Sequence, residues 1–158
     1  MAFSTPNFYI KICNTIRVNN LTIYEVVHDE IKKNGCNCSL NHIDVSCVSS
    51  FNGLFSGCVF PDGKFPDISS WDTRSLKHMK NTFYHSSISC DLSMWDTSNV
   101  VDMSYAFAFA KVKNLRIYDW NTKKLCYAEG MFKGSNFTED ISRWDLSSIK
   151  NKRNYPFN

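Results

Sequence analysis

The groups able to do chemistry in this chain are its thiols, imidazoles and carboxylates, and their spacing decides how much they can do. Cys36-x-Cys38, with His42 and Cys47 close behind, offers soft ligands of the kind zinc takes. A structural zinc site wants a second knuckle of C-x₂₋₄-C spacing, which this pair lacks, so the expectation is no metal and the plainer reading is small residues at a junction. His28, His42, His78 and His85 stand in no fixed relation to a serine or cysteine, and no triad or Cys-His nucleophile is read from them. Asp44, Asp72, Asp96, Asn121 and Asp145 form a recurring acidic ladder with two readings. One is a site for a cation or a basic partner. The other is a set of turn caps, favoured because Asp followed by Thr or Ser accepts hydrogen bonds from nearby backbone amides, while stacked carboxylates would repel. No catalytic residue and no cofactor is expected, and the chain is read as a non-enzyme.

The ladder follows a stronger pattern. Trp71, Trp95, Trp120 and Trp144 are the four tryptophans of the chain, at steps of 24, 25 and 24 residues. Self-similarity at that period marks an array rather than an ordinary globule. Three residues before each Trp stands Ile68, Leu92, Ile117 or Ile141, and five after it Leu76, Val100, Leu125 or Ile149. Met79, Met103 and Ala128 follow at eight, and Phe83, Phe107 and Phe132 at twelve. An earlier repeat keeps the same offsets in Leu40, Ile43, Val48, Phe51 and Phe55, with Ile43 in the Trp position. The step from Ile43 to Trp71 is longer, and Phe60-Pro61-Asp62-Gly63-Lys64 absorbs the excess as a turn. The last repeat fails late, with Lys152 and Pro156 at its outer positions, as terminal units of stacked arrays do. The expected core is therefore Ile43, Phe55, Trp71, Met79, Phe83, Trp95, Met103, Phe107, Trp120, Phe132 and Trp144.

Segments such as Asp67–Thr73 are short, aromatic and bounded by turn formers, which predicts one short strand per repeat. Val100, Met103 and Phe107 are spaced by three and then four, which predicts a short helix or 3₁₀ piece after it. The fold expected is an α+β repeat: a leucine-rich-repeat-like solenoid of about five rungs, each a short parallel strand plus a short helical turn. Ahead of it, Ile23, Val26, Val27 and Ile31 make the apolar stripe of a helix over Asn20–Gly35, with Thr22 and Glu25 as a capping box and Gly35 as the stop. Phe8–Ile12 reads as a strand. The organisation expected is a strand and cap helix over 1–36 and the array over 37–158, in one structural domain.

The segments DISSWDTRSLKHMKNTF, DLSMWDTSNVVDMSYAF and DISRWDLSSI resemble the BspA-like family, the bacterial surface-antigen type of leucine-rich repeat, over roughly Asn37 to Ile149. The unit RIYDWNTKKLCYAEGMF departs most, with Asn121 for the usual Asp and Ala128 for Met. The resemblance implies a curved scaffold used for binding and carries over no catalytic residue.

In an array, interior positions repeat and a binding surface varies from unit to unit. The variable places gather Arg116, Tyr118, Lys123, Lys124 and Tyr127 in the third Trp unit and Arg143 in the next, residue types favoured at interfaces. The same residues also suit a solvated face with buried tyrosine rings. From Lys111 onward there are ten basic and five acidic residues, against eight and ten before it, so the chain's net charge of +3 hides an electropositive end. Lys150, Lys152, Arg153 and Tyr155 extend that end or fray.

At 158 residues and 43% hydrophobic content the chain can bury one continuous core. Its start has no basic segment followed by an apolar run, and no stretch approaches the roughly 18 apolar residues of a membrane span. Seven cysteines without a framework suit a reducing compartment, so the expected location is the cytoplasm and no membrane partner is expected. The leading expectation is an intracellular protein-binding module, an inhibitor or adaptor, for example a phage or mobile-element anti-defence protein acting on a host nuclease. The alternatives are a surface adhesion repeat and nucleic-acid binding through the basic end. Partner identity and oligomeric state are left open.

Overall fold

The computed structural model describes residues 15–61, 64–151 and 156. The strand expected at Phe8–Ile12, and Lys152, Arg153 and Tyr155 of the tail, lie outside the described residues. Within them the order is β1 (Ile16–Arg17), α1 (Ile23–Asn34), β2 (Ile43–Asp44), β3 (Ser87–Ser89) and β4 (Lys111–Lys113). β1 pairs parallel with β2, and β3 pairs parallel with β4. Single parallel bridges join Ser39 to Asp67, Ser50 to His78, His78 to Asp102, and Asp102 to Tyr127, each linking one repeat to the next.

The strand-plus-helix reading of each repeat needs correction. Among the described residues α1 is the one α-helix, and the stretch from Met79 to Ser86 is a succession of turns. Thr82, Tyr84 and Ser86 donate their amides to the carbonyls of Met79, Asn81 and Phe83, while the intervening amides of Met79, Asn81, Phe83 and His85 donate to Asp102, Ser104, Ala106 and Ala108 of the following repeat. Alternate donors thus serve the turn and the neighbour. Residues of positive φ at Asn81 and His85, and at Tyr105 and Phe109 one repeat later, deny the chain a continuous helix. The Trp half is built the same way, with Trp71 bonded to Ile68 and Leu76 to Thr73 through i→i+3 turns. Three-residue turns produce apolar spacings of three and four without any helix. The strand expected around each Trp is reduced to the bridge at Asp67 ahead of Trp71, and the other single bridges fall seven residues after a Trp, at His78, Asp102 and Tyr127.

The eleven expected core side chains, Ile43 through Trp144, are all buried. Trp71 stacks on Trp95 and Trp120 on Trp144, with ring centres 6.2 and 6.1 Å apart. A second column stacks Phe55, Phe83, Phe107 and Phe132 at 5.6, 5.1 and 5.6 Å. Each indole N–H finds a carbonyl one repeat back: Trp71 donates to Leu40, Trp95 to Ile68, Trp120 to Leu92 and Trp144 to Ile117, at 2.9 to 3.0 Å. Each of those carbonyls also accepts the amide of its own i→i+3 turn, so the indole supplies a second bond, one that ties the repeat to its predecessor and that a Phe could not make. Thr73, Thr97 and Thr122 reach the other way, to the carbonyls of Asp96, Asn121 and Asp145.

In the turn half of each repeat the amides donate to the following repeat, while beside the bridges Lys77, Val101 and Cys126 donate to the preceding one, so the first repeat presents both acceptors and donors. Three features of the N-terminal segment cover them. Ile16 and Val18 of the β1 segment donate to His42 and Asp44, the Asn20 side chain accepts the amides of Ser49 and Ser50, and His28 Nε2 meets the carbonyl of Leu54 at 2.8 Å. The stripe of α1 buries Ile23, Val26 and Val27, with Ile31 partly buried. The expected capping box does not form, because Thr22 makes no side-chain cap. Asn19 Oδ1 instead accepts the amides of Leu21 and Thr22, a local ring that leaves Glu25 in the first turn without a capping role. Gly35, at φ 80°, returns its amide to Ile31. At the other end Phe132 donates to the carbonyl of Pro156 at 3.0 Å. Proline there accepts the ladder and, having no N–H, cannot pass it on. No described helix is long and apolar enough to cross a membrane.

Candidate protein-binding surfaces

The acidic ladder resolves into turn caps. Asp44, Asp72, Asp96, Asn121 and Asp145 each accept, through Oδ1, the backbone amide two residues on, at 2.9 to 3.3 Å. The same bond recurs four residues before the Trp position in Asp67, Asp91 and Asp140. Hydrogen bonds from Ser46, Ser93 and Ser147 hold the carboxyls of Asp44, Asp91 and Asp145 below the usual carboxylate range, and the Arg74 side chain does so for Asp72. These oxygens are committed to the backbone, and no cluster of metal-ligating side chains is found among the described residues.

Some of the thiol and imidazole groups are also committed to the fold. Burial pushes the thiols of Cys38, Cys58 and Cys90 up, away from the reactive thiolate. His42 pairs with Glu30 at 3.2 Å, a tie between α1 and the first repeat, rather than with a cysteine.

The six expected contact residues, Arg116, Tyr118, Lys123, Lys124, Tyr127 and Arg143, are all exposed. They fall into two groups. Arg116 pairs with Asp91 at 3.1 Å and Arg143 with Asp119 at 2.7 Å, with Tyr118 close to both guanidinium groups and Met94, 79% exposed, one repeat back. Each pair joins one repeat to the next, so two of the charges that made this end look basic are neutralised where they stand. Beyond Trp120, Lys124 Nζ donates to Asn99 Oδ1 at 2.7 Å, and Asn99 donates in turn to the Arg74 carbonyl. Lys123 faces Asp145, and Tyr127 takes part in the bridge to Asp102.

Beside the first group lies an open cleft of about 790 Å³, lined by Lys113, Arg116, Asp91, Asn136 and Glu139 among others. Four of these polar groups are tied within the fold: Arg116 to Asp91, and Glu139 and Asn136 to backbone. Glu139 accepts the amides of Arg116 and Ile117, and the Asn136 side chain both accepts the amide of Val112 and donates to its carbonyl, plugging the open edge of β4.

A further surface escaped the sequence reading. Two places in each turn half require positive φ: one is held by Gly53, Asn81, Tyr105 and Gly130, the other by Gly57, His85, Phe109 and Gly134. Glycine adopts this conformation freely, whereas a side chain in it costs about 1 to 2 kcal/mol. The flanking repeats use glycine in both columns, and the two middle ones carry side chains there. His85 stacks on Phe109 at 4.7 Å and 13°, Tyr84 stands edge-on to both rings, and the Tyr105 hydroxyl donates to Glu129 at 2.8 Å. Phe109 is 40% exposed and His85 is exposed. The signal was in the sequence, in glycines recurring at the same offset in the outer repeats only.

The sequence model of a family described as "Mycoplasma protein of unknown function, DUF285" matches residues 7–87 and 49–157. No curated protein and no solved structure matches. Together the two matches span nearly the whole chain and follow its internal repetition, and the chain belongs to the DUF285 family, a repeat family.

Proposed function

We propose that this chain is a non-enzymatic protein-binding module, a leucine-rich-repeat-like solenoid of about five rungs of the BspA-like kind. The observation that carries the reading is the division of labour across repeats. Interior places hold one residue type in register, while exposed places change from repeat to repeat and gather Tyr, Phe, Met, His and Arg. A scaffold whose carboxylates cap turns and whose Cys38, Cys58 and Cys90 thiols are partly or wholly buried has its chemistry directed inward, and what it presents outward is shape. Thiols at Cys36, Cys38, Cys47, Cys58 and Cys90, none in a disulfide, suit work in a reducing compartment as an inhibitor or adaptor. A target such as a host nuclease stays within this reading, although the Arg116–Asp91 and Arg143–Asp119 pairs weaken its charge-driven form.

Affinity capture from nuclease-treated lysate of the source cell tests the reading, with Lys123→Glu plus Lys124→Glu as the control. One dominant protein held in stoichiometric complex is the expected result. Recovery of nucleic acid alone from untreated lysate, or turnover of a substrate by the purified chain, would overturn it. Unchanged affinity of the charge-reversed protein would remove the Lys123 side of the surface from the interface.

A further inference from the structure

The left-handed turns that carry the aromatic group are made by glycine in the flanking repeats. Gly57 and Gly134 make the same turn as His85 and Phe109, with the same amide donated outward: Gly57 to Tyr84, His85 to Ala108, Phe109 to Lys133. Backbone strain retained under exposed rings, where two neighbouring repeats avoid it, points to use rather than to packing. The rings are contiguous. His85 lies parallel to Phe109, Tyr84 walls both, and Gly134 closes against the Phe109 ring, where a Cβ would come within 2.5 Å of Cδ1. On the other side Gly57 has open space where its side chain would be, so the approach to this end of the column is unobstructed.

Charge identifies the kind of partner. Lys80 adjoins Asn81, Lys111 bonds through its amide to Ser86 beside His85, and Lys133 adjoins Gly134 and takes the Phe109 amide. Among the described residues no carboxylate lies within ion-pair distance of any of the three, in contrast to Arg116 and Arg143. Glu129, the acid beside the group, accepts the Tyr105 hydroxyl and keeps its charge, so three lysines stand against one carboxylate there. An apolar, aromatic centre ringed by unneutralised lysines fits a segment that is acidic and carries an aromatic or long apolar anchor.

We propose that Tyr84, His85, Tyr105 and Phe109, ringed by Lys80, Lys111 and Lys133, form the docking surface for an acidic segment of a partner protein bearing an aromatic or long apolar side chain. This rests on the reading of the chain as a protein-binding module. The test is selection of a random dodecapeptide library displayed on phage against the intact chain, followed by binding of the enriched peptides to His85→Gly and Phe109→Gly. The expected peptides carry net negative charge around an aromatic or large aliphatic residue, and lose affinity by about tenfold or more on each variant. The melting midpoint of His85→Gly stays where it is or rises, since glycine is the residue the backbone prefers there. A variant that binds poorly and melts no earlier cannot be dismissed as misfolded. Enriched peptides that bind both variants as well as the parent would overturn this surface and leave the binding-module reading standing. Basic peptides, or tight binding of a deoxythymidine oligomer to the same residues, would overturn the acidic-partner assignment. Failure to enrich any peptide would count against both readings.

Discussion

Two kinds of column run through the same repeats and obey opposite rules. The tryptophan and phenylalanine columns stay apolar and buried, with Ile43 the one departure from Trp, the phenylalanines stacked from Phe55 to Phe132 and every indole N–H bonded to a carbonyl one repeat back. The left-handed columns change from glycine to Asn, His, Tyr or Phe and back again while their backbone stays the same. A place that faces packed neighbours on all sides admits one shape, and the sequence repeats it. A place that faces solvent is free, and there the cheapest residue for folding is glycine. Departure from glycine therefore has to be explained by something outside the fold.

The comparison breaks first, and hardest, at a tryptophan. Trp95→Ala removes a ring stacked on Trp71 and a bond to the Ile68 carbonyl, and should cost roughly 3 to 5 kcal/mol in urea unfolding. A loss below about 1 kcal/mol would mean that the column is not what holds the repeats together. Next comes a contrast between two glycines of one column. Gly57→Ala meets nothing within 4 Å and should lose only the left-handed penalty, about 1 kcal/mol, whereas Gly134→Ala drives a Cβ against Phe109 and should lose about 2 to 4 kcal/mol. Introducing Phe109→Gly into the Gly134→Ala protein should recover the excess; if it does not, the Phe109 ring is not the obstacle.

The smallest effect concerns pH. The carboxyls of Asp44, Asp72, Asp91, Asp140 and Asp145 sit below their ordinary range through hydrogen bonds to Ser46, Arg74, Ser93, Ser142 and Ser147. A carboxyl depressed in the folded state stabilises it above the unfolded value, near 3.9, and that contribution is lost as pH falls through the folded one. The urea midpoint should accordingly hold from neutral pH down to about 5 and decline below about 4, modestly because these groups are exposed to solvent. A midpoint that improves on acidification would show that mutual repulsion of the carboxylates outweighs their capping bonds.

Much of this molecule was legible in advance, and the illegible part has a physical cause. Stacking leaves its mark directly on residue type, so Trp71, Trp95, Trp120 and Trp144 announced the repeat and its register. Turn geometry does not. A chain of i→i+3 turns puts apolar groups three and four apart, and from Val100, Met103 and Phe107 alone it is indistinguishable from a helical turn. The cap of α1 misled for a related reason, since the Thr22 hydroxyl accepts the Asn19 amide and is drawn into the turn before the helix, an outcome that depends on backbone geometry. Arg116 and Arg143 were legible as basic residues, yet their neutralising partners Asp91 and Asp119 come from the preceding repeat and emerge only when repeats are laid side by side. The left-handed places were hidden because Asn81, His85, Tyr105 and Phe109 do not advertise positive φ as glycine does.

The most direct measurement is the urea unfolding curve of His85→Gly beside that of Trp95→Ala. If the interior columns carry the fold and the left-handed aromatics are kept for a surface, His85→Gly should unfold within about 1 kcal/mol of the parent while Trp95→Ala loses several. A His85→Gly protein that loses as much as Trp95→Ala would contradict the account, because the exposed column would then be part of the core.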